Sequence, residues 1–266
     1  MLSRRRLIQV AAPALLLPSR KLFAAQRPPF AFPAGVAPGM NQSHPVSGQP
    51  WISAVANLGG NFTNLLGGKP GTIIGAPTGF LDPVIGPSVK FNGASTDQIE
   101  FSGFSARNPI GGFTYGCIFV MDSIPTVTAA LHSTANANTS NSLLVSTAPV
   151  LFPETAGAFP TAGYALAVGV PYFAAFSNYA NGANSIDGII RNLATGKVVA
   201  TQAALASVGA SAGDGTFNIG NHTAAVAAFP GHIAAYMYSF NFGNMLSFNT
   251  LLKWSENPWA YWYPGT

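Results

Sequence analysis

Apolar and polar residues alternate through most of the chain after Trp51. Val89 and Phe91 alternate with Lys90 and Asn92, and Gly93 then turns the chain. Ile99 and Phe101 alternate with Glu100 and Ser102. Phe113, Tyr115, Cys117, Phe119 and Met121 share one face of the next run. Leu143 to Val145 is a short apolar run, and Tyr164, Leu166, Val168 and Val170 alternate with Ala165, Ala167 and Gly169. Phe217 and Ile219 flank Asn218, and Tyr236, Tyr238 and Phe240 alternate with Met237 and Ser239. A period of two sends successive side chains to opposite faces of a strand. Many such strands between Gly, Pro, Asn and Ser turns predict a sandwich or barrel. One helix is predicted over Leu246 to Trp254, with Ser247 as cap, Leu251 and Leu252 as apolar positions and Pro258 as stop. Gln202 to Val208 is a second, short helix candidate. Residues 135–142 and 178–185 read as exposed loops rich in Ala, Asn, Ser and Thr. Six prolines among residues 26–50 block regular structure and predict an extended linker.

Composition changes this picture at two points. Only 8% of the 266 residues are charged, against about a quarter in ordinary globular domains. Such a surface favours self-association or a place in an assembly. Five of the 12 basic residues fall in the first 25 positions, and the remainder holds seven basic and eight acidic residues, a net charge of −1. A groove that tracks phosphates needs clustered Lys and Arg, so nucleic acid is excluded as a partner. Arg4, Arg5 and Arg6 precede an apolar run from Val10 to Leu17, and Ala24 and Ala25 follow. That order is that of an export signal of twin-arginine type, which predicts a periplasmic or extracellular protein; the alternative is a retained N-terminal arm. Mass spectrometry of the native N-terminus separates them: export predicts a start near Gln26, an arm predicts Met1. Pro, Asn and Gly interrupt every later apolar stretch, so no transmembrane anchor is expected in the mature chain. Cys117 is the single cysteine, predicted to be a buried, inert thiol.

Four pieces, in order, resemble the laminin-G-like members of the concanavalin A-like lectin/glucanase group. They are Ser88–Gly93 with Asp97–Phe101, Gly112–Val120, Phe217–Asn221 with Phe229–Ala235, and Leu246-Ser247 with Asn257-Pro258-Trp259. The last piece is like the closing helix of bacterial and phage-encoded members. The resemblance covers roughly residues 51–262. It implies an all-β fold, a two-sheet antiparallel jelly-roll sandwich with a short C-terminal helix. The expected organisation is residues 1–25 as signal or arm, 26–50 as linker and 51–266 as sandwich.

Candidate chemistry is sparse. Glycoside hydrolysis needs two carboxylates about 5–10 Å apart, and no alternating acidic pattern occurs; Asp97 and Glu100 are three apart and the other acids are isolated. Gly209-Ala-Ser-Ala-Gly213 matches a nucleophile-elbow pattern but sits in an Ala/Ser/Gly tract, which reads as a loop. His44, His132, His222 and His232 lack zinc spacing and read as structural. No cofactor is expected beyond a calcium candidate, for which Asn181, Asn184, Ser185 and Asp187 offer oxygens; Asn184 and Asp187 are the candidate metal ligands. Tyr172, Phe173, Phe176 and Tyr179 crowd a short span with Asn178 and Asn181. Aromatic faces beside amides suit sugar stacking, so Tyr172, Phe173, Asn178, Tyr179 and Asn181 are the candidate ligand residues; the alternative puts Tyr172 and Phe176 in the core. Trp254, Trp259, Tyr261 and Trp262 are expected to plug the sandwich. The function expected from this is a non-catalytic recognition or adhesion module for glycan or another surface polymer. The alternatives are a structural component of a phage virion or surface assembly, including a homo-oligomer, and a polysaccharide hydrolase or lyase.

Overall fold

The computed structural model describes residues 30–45, 50–93, 96–103, 113–134, 141–155, 163–178, 186–205, 216–221, 227–240 and 246–264. Two sheets face each other. The first runs in the order β15 (Val198–Leu205), β14 (Ile186–Asn192), β13 (Pro171–Asn178), β8 (Phe113–Met121), β18 (Pro230–Phe240), β1 (Pro50–Ala56), β2 (Phe62–Asn64), β3 (Lys69–Pro70). A hairpin of β5 (Thr78–Asp82) and β6 (Gly86–Asn92) joins it along the first half of β18. The second sheet runs β12 (Tyr164–Ala165), β11 (Val150–Thr155), β10 (Asn141–Val145), β9 (Ala129–Ser133), β16 (Phe217–Ile219), β7 (Gln98–Phe101), β4 (Thr72–Ile74). All pairings are antiparallel except that of β17 (Ala227–Ala228) with β9. The fold is therefore an all-β sandwich, as the alternation predicts.

The inward positions are the alternating apolar ones. Phe91, Ile99, Phe113, Tyr115, Cys117, Phe119, Met121, Phe217, Ile219, Tyr236 and Tyr238 form one buried core between the sheets. Tyr115 stacks on Phe113 and Tyr238, with ring centroids 5.7 and 6.3 Å apart. His132 enters this core and its Nδ1 hydrogen-bonds the Tyr236 hydroxyl. Burial pushes the Cys117 thiol far above its ordinary range, which leaves it an inert core group.

A second core covers the outward face of the first sheet. Ser247 caps α1 (Phe248–Glu256) by accepting from the Thr250 N–H, and a 3₁₀ turn follows at Pro258–Tyr261. Trp254, Trp259, Tyr261 and Trp262 are all buried against Ile118, Val120, Phe173 and Ile189. This is the plug that the sequence predicts. It also explains why β8 is buried at all nine positions: one face meets the inter-sheet core, the other meets the plug.

The Pro-rich stretch departs from its expected role. Residues 30–45 form a strap laid on the plug rather than a free linker. Trp259 Nε1 donates to the Phe30 carbonyl at 3.0 Å, Phe32 N–H to the Val84 carbonyl, Gly39 N–H to Trp262 and Asn41 N–H to Tyr261. Phe32 packs edge-on to Trp259 and Tyr263. A Cβ on Gly86, whose φ is 74°, would stand 2.3 Å from the Phe32 ring, so the turn into β6 is kept both left-handed and bare. Proline forbids a ladder but not packing, because fixed φ values lower the entropy lost on docking.

His44 ends the strap edge-on to Trp254 and Tyr261, with centroids 5.8 and 5.6 Å apart. Burial lowers its pKa from 6.5 to about 4. Between those values the unfolded chain binds the proton and the folded chain does not. Stability is thus complete above about pH 6.5 and is lost as pH falls toward about 4. We expect the fall in Tm from about pH 7 to about pH 5 to be larger for the wild type than for His44→Phe. Equal falls in the two proteins would remove His44 as the cause.

The other differences share one physical origin. Gln202–Leu205 lies in β15 rather than in a helix. Of the run 164–170, only Tyr164–Ala165 is strand, and Gly169 turns the chain with φ 73°. The aromatic span from Tyr172 to Phe176 lies in strand β13. Its outward residues Phe173 and Ala175 lie under the plug, so no polar alternation marks it.

Candidate functional site

The predicted ligand residues do not come together at the surface. Tyr172 is 4% exposed and belongs to the inter-sheet core, and Phe173 is fully buried on the opposite face of β13, edge-on to Trp254. Neither ring is available to stack on a sugar. Asn178 is the last residue of β13, paired with Phe113 and Ile186. Tyr179, Asn181, Asn184, Ser185, His222 and the 209–213 motif lie outside the described residues. Asp187, a candidate metal ligand, is buried in β14 opposite Ser177 rather than in a loop. Among the described residues no group of three His, Cys, Asp or Glu is disposed to hold a metal ion.

Charged groups gather in two places. In the first, His232 is buried between Asp82 and Asp122 on the outward face of the first sheet. Its Nε2 meets Asp82 Oδ2 at 3.1 Å and its Nδ1 lies 3.0 Å from Asp122 Oδ1, while Lys90 Nζ reaches Asp122 Oδ2 at 2.9 Å. The Nδ1 contact has the distance of an ion pair without the in-line geometry of a hydrogen bond. Asp82 also accepts from the Val84 and Ile85 N–H groups of its own turn. Burial alone would raise its carboxyl, but the hydrogen bond from His232, those two N–H groups and the His232 charge outweigh it and the net shift is downward. Asp82 is thus an engaged carboxylate that ties the β5–β6 hairpin to β18. Its three hydrogen bonds fill three of the roughly four lone-pair sites of a carboxylate.

The second place is a cleft of about 510 Å³ between the rims of the two sheets, a volume within the roughly 300–1,000 Å³ of small-ligand sites. Asn64, Leu66 and Lys69 line it from the first sheet, and Thr72, Glu100 and Ser102 from the second. Ile99 and Phe101 point into the core, so alternation along β7 turns Glu100 outward. Neither Glu100 nor Lys69 makes an ion pair or side-chain hydrogen bond among the described residues.

Register extends this site across the second sheet. Glu100 pairs with Thr72 on β4 and with Asn218 on β16, and Asn218 pairs with Ser133 on β9. Directly opposed residues on one face hold their Cβ atoms about 4.5–5.5 Å apart. Asn218 is fully buried, and neither its amide nitrogen nor its amide oxygen has a hydrogen-bond partner among the described residues. An unsatisfied buried amide costs about 1–3 kcal/mol, and such groups mark places that a ligand or water completes. Among the described residues, a carboxylate without a partner thus lines the cleft and stands one strand from a buried amide that also lacks one. The carboxylate can exchange a proton with a ligand in the cleft.

From sequence, Glu100 is weighed only with Asp97 as a carboxylate pair, and Asn218 is read only as the polar position between Phe217 and Ile219. Their signal was a single polar residue between two core residues on strands that pair, Ile99-Glu100-Phe101 and Phe217-Asn218-Ile219. Pairing of β7 with β16 is a long-range fact that alternation does not carry.

No protein-family model matches the chain, and no curated protein matches it. Solved structures do. A Trypanosoma rangeli sialidase in complex with 2,3-difluorosialic acid, titled a covalent intermediate, is 14% identical with a TM-score of 0.50, over 79% of this chain and 33% of the sialidase. A mutant GH54 α-L-arabinofuranosidase soaked with 4-nitrophenyl α-L-arabinofuranoside is 11% identical with a TM-score of 0.51, over 73% of this chain and 45% of that one. Domain 4 of a GH43 extracellular arabinanase from Geobacillus stearothermophilus, in complex with arabinotriose, is 13% identical with a TM-score of 0.48, over 78% of this chain and 99% of that one. The chain spans about a third of the length of the sialidases it matches. At these identities the likeness is one of fold, a β-sandwich that occurs in carbohydrate-active proteins. The expectation of a non-catalytic module, and with it the expectation of no enzyme, is corrected by this finding: the matching structures are glycoside hydrolases. No described helix is long and apolar enough to cross a membrane.

Proposed function

We propose that the protein processes glycans, with the cleft between the sheet rims as its active site and Glu100 as the acid/base group. The observation that carries this reading is the pairing of Glu100, a carboxylate without a partner among the described residues, with the buried and unsatisfied Asn218 amide one strand away. Glycan cleavage needs a group that moves a proton to or from the scissile linkage. It also needs fixed polar groups that hold sugar hydroxyls. Glu100 supplies the first and Thr72 and Ser102, which line the same cleft, the second. The fold shared with the sialidase and arabinofuranosidase supports the same substrate class.

We also propose the finer, laminin-G-like assignment for the sandwich. Its four sequence pieces fall on the β6 end with β7, on β8, on β16 with β18, and on the start of α1 with the turn after it.

The test is release of reducing ends by the full chain from a panel of neutral and acidic polysaccharides. The reading expects release from at least one of them. Absence of release from all, by protein that is folded by circular dichroism, would overturn it.

A further inference from the structure

Charge is scarce in this chain, at 8% of residues, and several of the charged side chains that the structure describes are committed to architecture. Asp82, Asp122, Lys90 and His232 form one network. Asp97 is buried and accepts from the Ala76 and Asn92 N–H groups. Arg191 donates to Ser255 and to the Gly196 carbonyl, under the Phe30 ring. Against that background, one cation and one carboxylate line the same cleft without an ion pair or side-chain hydrogen bond among the described residues. Lys69 lies on β3 of the first sheet and Glu100 on β7 of the second.

This pair does not suit hydrolysis by two carboxylates about 5–10 Å apart, because Glu100 is the one carboxylate among the described residues of the cleft. It suits elimination. Resting on the reading of Glu100 as the acid/base group, we propose that the cleft takes a glycan bearing uronate sugars and cleaves it by β-elimination. Lys69 holds the sugar carboxylate and lowers the cost of negative charge that develops next to it. Glu100 takes the proton from the ring carbon that carries that carboxylate. The electrons of the broken C–H bond form a double bond to the neighbouring ring carbon, whose bond to the glycosidic oxygen breaks. That oxygen receives the proton from Glu100, so the carboxylate is regenerated. No water is consumed and no oxidant or reductant is needed. Opposed charges on the two walls also fix polarity: the sugar carboxylate is drawn to Lys69 and repelled by Glu100.

The experiment uses the full chain with a polyuronate, a sulfated dextran and a neutral arabinan, reading both reducing ends and the ultraviolet absorbance of the unsaturated product. We expect absorbance and reducing ends to rise together on the polyuronate alone. Lys69→Ala should lower kcat/KM there by about 100-fold, and Lys69→Arg should restore part of it. Reducing ends without absorbance mean hydrolysis and overturn this inference while leaving Glu100 as the acid/base group. Cleavage of the sulfated or the neutral polymer in preference, or an unchanged Lys69→Ala, also overturns it. No cleavage of any polymer sinks this inference and the reading beneath it.

Discussion

Glu100→Gln loses glycan cleavage and keeps glycan binding. Gln has the shape of Glu and the same hydrogen-bond reach, but it cannot take or release a proton. Removing a positioned acid/base group lowers turnover by about 10²–10⁴-fold. The Kd for the same glycan, measured by calorimetry on folded protein, should stay within about threefold, since sugar hydroxyls still find an amide in place of the carboxylate. Stability should also hold within about 0.5 kcal/mol, because Glu100 faces outward and has no side-chain partner among the described residues. That triple signature separates a catalytic loss from an unfolded protein. Unchanged turnover would mean that the proton is moved elsewhere, and the cleft would lose its standing as the active site.

Glu100 also shows where the sequence is legible and where it is not. Its neighbours Ile99 and Phe101 are read correctly as core, because burial of every second residue leaves a local period. The same signal places Phe113, Tyr115, Cys117, Phe119 and Met121, Phe217 with Ile219, and Tyr236 with Tyr238 between the sheets. The cap at Ser247 and the buried aromatic plug are also local, the first a side chain three residues from its N–H partner. β13 escapes because both its faces are covered, so its alternation disappears. The strap escapes because its hydrogen bonds run to Val84, Tyr261 and Trp262, far along the chain. The cleft escapes for the same reason. Lys69, Glu100 and Asn218 lie on three strands of two sheets, and only the register β4–β7–β16 with the β2–β3 rim brings them together. Tyr172 and Phe173 show the converse: aromatic crowding beside amides is equally the composition of a strand buried on both faces.

Trp254→Ala should be the most destabilising single change in the plug, costing about 3–5 kcal/mol. The indole is 1% exposed and meets Phe173, Tyr261 and Trp262 at centroid distances of 5.0, 5.8 and 5.8 Å. Its truncation empties the junction of plug, strap and β13, where three rigid elements cannot all collapse inward. Trp254→Phe should cost much less, since its ring refills most of the space and removes an indole N–H that is buried without a partner among the described residues. Beneath the indole lies Gly116, where a Cβ would stand 2.2 Å from Trp254 Cη2. Gly116→Ala is therefore an overpacking change in the presence of the tryptophan, costing about 1–3 kcal/mol. With Trp254→Ala already in place, the added methyl meets a cavity instead of a ring, and its cost should vanish or reverse sign. Urea unfolding of the two single variants and the double variant closes this cycle, and the coupling should reach about 1–3 kcal/mol in the compensating direction. Simple additivity would mean that the indole does not rest on Gly116, and the plug would then cover the first sheet by a different seat.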